Sequence, residues 1–108
     1  MPADGLHLAI DGAIARLTLR RPAKFNAMSR AMWRELAEAL AAVAARAEVR
    51  ALVVAGEGGH FCAGGDIAEY PGFRFDEASL RDFHEREVWG GLSALLACDK
   101  PVIAMIDG

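Results

Sequence analysis

The stretch GGHFCAGGD, residues 58–66, sets four glycines, a histidine, a cysteine and an aspartate in nine positions, directly after the apolar run 51–55. His60 and Cys62 are residue types that hold metals or supply a thiolate. Only His7, His84 and Cys98 remain as further nitrogen or sulfur ligands, and none stands at zinc-finger or HExxH spacing, which argues against a metal site. A Cys62 nucleophile activated by His60 would need both side chains on one strand face, and the flanking glycines do not sustain a strand. Cys62 reads better as a small packed residue, and His84 as a surface or half-buried helix position rather than a base. Neither Lys-Ser nor Lys-Thr follows the glycines, so they form no P-loop, and they miss the GxGxxG pattern. The backbone itself is the remaining chemistry. A strand that ends in glycines and enters a helical turn offers free N–H groups at the positive end of a helix dipole, where an anion or a developing oxyanion is stabilised. On these residues alone, Gly64-Gly65 also reads as a plain turn.

The elements that must hold this loop follow from hydrophobic periodicity. Residues 6–10 and 13–19 alternate with a period of two around Asp11-Gly12, which predicts a β-hairpin ended by Arg21-Pro22. Ser29 is placed to cap a helix whose apolar positions Met32, Leu36, Leu40 and Val43 recur at helical spacing, with an end expected near Ala47. Residues 49–55 read as a third strand, buried on both faces. After the loop, residues 66–69 open a short helical turn halted by Pro71-Gly72. Asp76 then caps a second long helix carrying Leu80, Phe83, Val88, Leu92, Leu95 and Leu96. Gly90-Gly91 costs that helix roughly 1 kcal/mol per glycine, so either it breaks there or something packs closely against it. Lys100-Pro101 stops it, and residues 102–106 form a fourth strand.

Composition bounds the rest. A chain of 108 residues fits one small domain burying about 60–70% of its unfolded surface, so one core is expected. Apolar residues make up 54% and charged residues 25%, a globular balance rather than a disordered one. Fifteen acidic residues against twelve basic ones, with no basic stripe, exclude a nucleic-acid partner. No uncharged apolar run of about 18 residues spans a membrane, and residues 1–5 carry no targeting signal, so a cytoplasmic location is expected. Two cysteines without CxxC spacing build no disulfide framework.

Three stretches share a further pattern. RRPAKFNAMS (residues 20–29) resembles the RPxxxNAL segment of the crotonase superfamily, the enoyl-CoA hydratase/isomerase family. GEGGHFCAGGDI (56–67) resembles that family's GxGxxFCAGADL segment, and KPVIAMIDG (100–108) its KPVIAAVNG segment. All three occur in family order. The resemblance implies an α/β fold, a crotonase-like spiral of ββα units, with residues 1–108 as the N-terminal part of a single domain ending before a second oxyanion glycine cluster. It implies acyl-CoA thioesters as substrates, with coenzyme A entering as part of the substrate and no separate cofactor or metal. Subunits of the family form trimers or pairs of trimers. By the same resemblance, the N–H of Gly65 is one of two donors to the thioester oxygen as it becomes an enolate. Family members often carry alanine there. Lys24, Phe25, Ala27, Ala63, Asp66 and Ile67 would line the CoA channel, with Lys24 near its phosphates. The family's two catalytic glutamates fall at and beyond the glycine cluster after the final IDG turn, so Glu69, Glu77, Glu85 and Glu87 match neither. Hydration of a trans-2-enoyl-CoA is the expected reaction, and a non-catalytic acyl-CoA-binding or assembly module is the alternative.

Overall fold

The computed structural model describes residues 4–108. The reading of residues 1–5 as free of a targeting signal therefore lies partly outside the described residues. Strands β1 (Gly5–Asp11) and β2 (Ile14–Arg20) pair antiparallel in the expected hairpin. Its turn needs the left-handed backbone that Gly12 supplies at φ +60°. Helix α1 (Arg30–Ala44) starts at Ser29, whose side chain accepts the Met32 N–H at 3.2 Å, a cap worth about 1 kcal/mol. Strand β3 (Ala51–Gly56) then runs parallel to β2. After the glycine loop come α2 (Glu77–Asp82), a π-helical segment (Phe83–Val88) and α3 (Trp89–Ala97), continuous with one another. Strand β4 (Val102–Met105) closes the sheet parallel to β3, in the order β1-β2-β3-β4.

One apolar cluster joins the sheet to α1. Ala15 and Leu17 of β2 and Leu52 of β3 meet Leu36, Leu40 and Val43 of the helix. Leu17 and Leu52 are wholly buried, each side chain contributing about 2 kcal/mol on leaving water. A smaller cluster of Leu19, Met28 and Met32 lies toward the glycine loop, with Cys62 packed against it. Among the described residues, no helix is long and apolar enough to cross a membrane.

Several expectations are corrected. Helix α1 stops at Ala44, short of Ala47, and the Lys100 ammonium caps its exit, donating to Val43 O at 2.7 Å in the last turn and to Arg46 O at 2.8 Å just beyond it. Strand β3 begins at Ala51 rather than residue 49, since the Val49 N–H is still held by the helical exit through Arg46 O. Its two faces are unequal: Leu52 is buried, Val53 only partly. The short turn after Asp66 is a 3-10 helix, Ile67–Gly72, which ends at Pro71-Gly72 as expected, although Pro71 lies inside it. Strand β4 ends at Met105, one residue early.

The glycine pair resolves in favour of close packing. A Cβ on Gly91 would stand 3.0 Å from Leu36 Cδ2 and 3.0 Å from Trp33 O of α1, whereas Gly90 has nothing within 4 Å. Gly91 thus lets α3 approach the α1 backbone. The helix does not break there; its irregularity falls just before, in the π-helical segment, which takes in an extra residue per turn.

The two glycines therefore respond in opposite directions to one methyl group. Gly90→Ala should raise unfolding stability by about 0.5–1 kcal/mol, the propensity gain of an open helix position. Gly91→Ala should lower it by about 1–3 kcal/mol through overpacking, despite the same propensity gain. Urea denaturation of the two variants beside the parent reads both signs.

Candidate active site

The glycine loop is held by the segment that precedes α1. Phe25 and Asn26 both adopt left-handed backbone, φ +51° and +60°, which ordinary residues avoid unless their surroundings demand it. The demand comes from the Asn26 side chain, which is fully buried. Its amide nitrogen donates to Glu57 O at 2.9 Å and His60 O at 2.8 Å, and its oxygen accepts the Arg21 N–H at 2.8 Å. The Arg21 guanidinium adds a second tie, donating to Ala27 O at 3.1 Å and to Asp66 Oδ2 at 2.8 Å.

Between these ties runs a short parallel bridge. Met28 donates to Gly64 O at 2.7 Å and accepts from Asp66 N at 2.9 Å, and Ala63 N donates to Phe25 O at 3.0 Å. In such a bridge the neighbours of Gly65 bond to Met28, so the N–H and C=O of Gly65 itself face away from it. The amides of residues 63, 64 and 66 are all engaged, Gly64 N through Cys62 Sγ at 3.4 Å. Among the described residues, the Gly65 N–H meets no acceptor.

That amide borders an open groove of about 350 Å³. Lys24, Phe25, Ala27, Ala63, Asp66 and Ile67 line it together with Gly65, joined by Ala23 and Ala68. All seven residues singled out from the sequence thus meet at one place. Phe25 and Ile67 are strongly exposed there, at 56% and 78%, apolar surface that a ligand would cover. Lys24 is exposed at the rim.

The electrostatics modify one expectation. The turn after Gly65 does not offer its positive end to a ligand, because Asp66 caps it, accepting the Ala68 N–H at 3.0 Å. The Arg21 guanidinium hydrogen-bonded to Asp66 holds that carboxyl below the usual carboxylate range, opposed by desolvation and helped by the Ala68 amide. With the carboxylate so occupied, the Gly65 amide is left as the donor.

The other reactive residues lie elsewhere. His60 packs its ring edge-to-face on Phe25, centroids 4.8 Å apart, and His84 is exposed on the π-helical segment. Among the described residues, Cys62 bonds only to Gly64, and it is half-buried. Glu87 is buried in an ion pair with Arg30 at 2.7 Å, Glu69 accepts the Arg30 N–H at 2.7 Å, and Glu77 pairs with Arg81 at 2.9 Å. Sequence reading missed the structural roles of Arg21 and Asn26, although both belong to the RPxxxNAL-like stretch and asparagine tolerates left-handed backbone. It also missed Tyr70, whose hydroxyl stands 2.8 Å from where a Cβ on Gly65 would lie.

A sheet with parallel crossovers, with helices packed on it and a strand-end loop that presents an unpaired amide to a groove, makes this an α/β protein. An enoyl-CoA hydratase/carnithine racemase from Magnetospirillum magneticum superposes with a TM-score of 0.92 at 34% identity, over 99% of this chain and 40% of that one. The family model for enoyl-CoA hydratase/isomerase matches residues 9–108, and the chain belongs to that family. A probable enoyl-CoA hydratase of Rhizobium meliloti (strain 1021) is 36% identical over 108 residues, all of this chain and 40% of the relative. The mitochondrial Delta(3,5)-Delta(2,4)-dienoyl-CoA isomerase of Rattus norvegicus is also 36% identical, over 88% of this chain and 32% of its own length. The chain thus spans about 40% or less of these relatives.

The Arg21–Asp66 pair gives a pH-dependent expectation. Because folding depresses the Asp66 pKa, its contribution is complete above the unfolded carboxylate value, about 3.9, and is lost as pH falls through the folded value. Asp66→Asn should therefore cost about 1–3 kcal/mol at neutral pH. The deficit should shrink as pH drops below about 4. Thermal unfolding of both proteins across pH 2.5–7 measures the window; a deficit independent of pH would show that the charge of Asp66 contributes nothing.

Proposed function

We propose that this chain forms the thioester-binding front of an acyl-CoA-processing enzyme, in which the Gly65 N–H donates to the thioester oxygen as it acquires enolate charge. The unpaired Gly65 amide at the edge of the groove carries this reading. An amide held rigid before the ligand arrives needs no reorganisation when charge develops, and such a donor typically lowers a barrier by about 3–4 kcal/mol. Lys24 at the rim offers a cation for the CoA phosphates. Phe25, Ala27, Ala63 and Ile67 give apolar walls and peptide groups for the adenine and pantetheine, and Asp66 acts from within the wall through its bond to Arg21.

Hydration of a trans-2-enoyl-CoA is the reaction we assign, on the strength of relatives named as probable enoyl-CoA hydratases. An equally similar relative is named a dienoyl-CoA isomerase, and the same polarised thioester serves both reactions. We put the acid/base pair outside residues 1–108 on the motif resemblance, in which Glu69, Glu77, Glu85 and Glu87 match neither catalytic glutamate; Glu69, Glu77 and Glu87 are in addition each bound to a partner. The alternative, an acyl-CoA-binding module without catalysis, uses the same groove.

The amide is directly observable. In nitrogen-15 correlation spectra, crotonyl-CoA should shift the Gly65 N–H strongly downfield, whereas free CoA should move Lys24 and Ala63 and leave Gly65 nearly in place. A Gly65 resonance indifferent to the thioester, while groove residues respond, would refute the donor role. In a protein that carries the acid/base pair, Gly65→Pro removes the N–H and should lower turnover by on the order of a hundredfold or more.

Residues 1–108 alone should bind crotonyl-CoA without hydrating it. An acid/base pair contributes about 10²–10⁴-fold and a second oxyanion donor about 10²–10³-fold, so the chain should lack nearly all the acceleration. Loss of enone absorbance at a rate within tenfold of a full-length relative would place the acid/base groups among these residues.

A further inference from the structure

Arg30, the first residue of α1, ties together the elements around the donor amide. Its backbone N–H donates to Glu69 Oε1 at 2.7 Å, which pins the 3-10 helix after Asp66 to the start of α1. Its guanidinium donates from Nε to both oxygens of Glu87, at 2.7 and 3.0 Å, and lies 4.8 Å from the ring centre of Phe73 and 5.7 Å from that of Phe83. Phe73 and Phe83 stack at 4.2 Å, and Tyr70 packs on both, at centroid distances of 5.3 and 5.8 Å. The Tyr70 hydroxyl ends this chain of contacts. It lies 2.8 Å from the Cβ position of Gly65, so it stands no more than about 4.3 Å from the Gly65 Cα, one carbon–carbon bond further. Tyr70 is not among the residues that line the groove, so it bears on the Gly65 backbone rather than on a ligand.

Glu87 is the unexpected member of this cluster. It is only 6% exposed, on a π-helical segment whose other buried residue is Phe83, and such segments recur where a helix serves a site. Taking a carboxylate and a guanidinium out of water offsets much of their mutual attraction, and an apolar pair of similar volume commonly serves stability as well. What the ion pair adds is direction. A planar guanidinium held through Nε by two carboxylate oxygens keeps one orientation, whereas an apolar chain in its place would change rotamer freely. Arg34 reaches the same carboxylate at 3.7 Å, which leaves Arg30 as its principal partner.

We infer that Glu87 is a positioning residue for the Gly65 donor: it fixes the Arg30 guanidinium over the Phe73–Phe83 pair, which seats Tyr70 against Gly65 and keeps the amide aimed at the groove. The inference rests on Gly65 as the thioester-oxygen donor. The hydrogen bonds of Asn26 hold the loop on the near side of Gly65, at Glu57 and His60, and the Arg30 cluster holds the residues that follow it. A donor fixed from both sides is already in place when charge develops on its acceptor.

Calorimetric titration with crotonyl-CoA and free CoA, read beside the Gly65 N–H resonance, tests this in the parent, in Glu87→Gln and in the double variant Arg30→Leu/Glu87→Leu. Glu87→Gln keeps the shape of the side chain and removes its charge. The double variant removes both charges together, so it should fold even where an unpaired arginine does not. Both should bind crotonyl-CoA about tenfold more weakly, leave the affinity for free CoA unchanged and shrink the downfield shift that the thioester induces at Gly65. Val43→Ala opens a cavity about 20 Å along α1 from Arg30; it should lower stability and keep the parent's affinities and shift. Undiminished crotonyl-CoA affinity and Gly65 shift in either folded variant, an equal loss for the two ligands, or the same loss in Val43→Ala overturns the role of Glu87. A parent Gly65 resonance that stays unmoved while crotonyl-CoA binds refutes the donor itself, and this inference fails with it.

Discussion

The three hydrogen bonds of the buried Asn26 side chain are the constraint from which the site follows. They span the segment before α1 and the far side of the glycine loop, and they hold Asn26 in left-handed backbone with Phe25 beside it. Only with the two segments in this register do Met28 and its partners bridge, and only that bridge turns the Gly65 amide outward. A buried amide with every bond satisfied is rigid, while the same group with one bond missing is costly. The loop geometry is therefore narrowly defined although the loop carries little apolar surface. The Arg21–Asp66 pair works in the same place from the other side, joining the two walls through a charge rather than an amide.

The sheet supplies the platform. Leu17, Leu52 and the inward face of α1 fix β2 and β3 side by side, so that the end of β3 delivers residues 57–66 against the exit of β2. Gly56 permits the loop to double back: a Cβ there would collide with the backbone of His60 and Phe61. Side-chain size at one strand-end position thus decides whether the loop can reach Asn26 at all. Strand β4 pairs with β3 along one edge, and its Val102, Ile103 and Met105 are 40–51% exposed among the described residues, apolar surface on the margin of the sheet.

Much of this was legible from local patterning. The Asp-Gly hairpin, the Ser29 and Asp76 caps and the apolar stripe of α1 are set by neighbours within a few positions, and each took the expected form. The misreadings depend on distant partners. The exit of α1 is capped by Lys100, more than fifty residues away in sequence, and the fate of Gly90-Gly91 is set by the backbone of Trp33. The seven site residues came from motif resemblance, and the structure brings them to one groove. The roles of Arg21 and Asn26 and the approach of Tyr70 are three-dimensional facts, since nothing about an arginine, an asparagine or a tyrosine in sequence says which carbonyl or glycine it will meet.

The Asp66 cap also bears on which inhibitors could suit this groove. The carboxylate beside the Gly65 amide is paired with the Arg21 guanidinium and adds no net charge there, but a fully anionic mimic of an enolate must still shed its water to reach that amide. A neutral, strongly polarised acceptor such as an amide, a sulfoxide or an N-oxide would take the same N–H at a smaller desolvation cost. Medicinal chemistry at Gly65 would accordingly favour dipoles over anions, leaving net negative charge to the rim near Lys24.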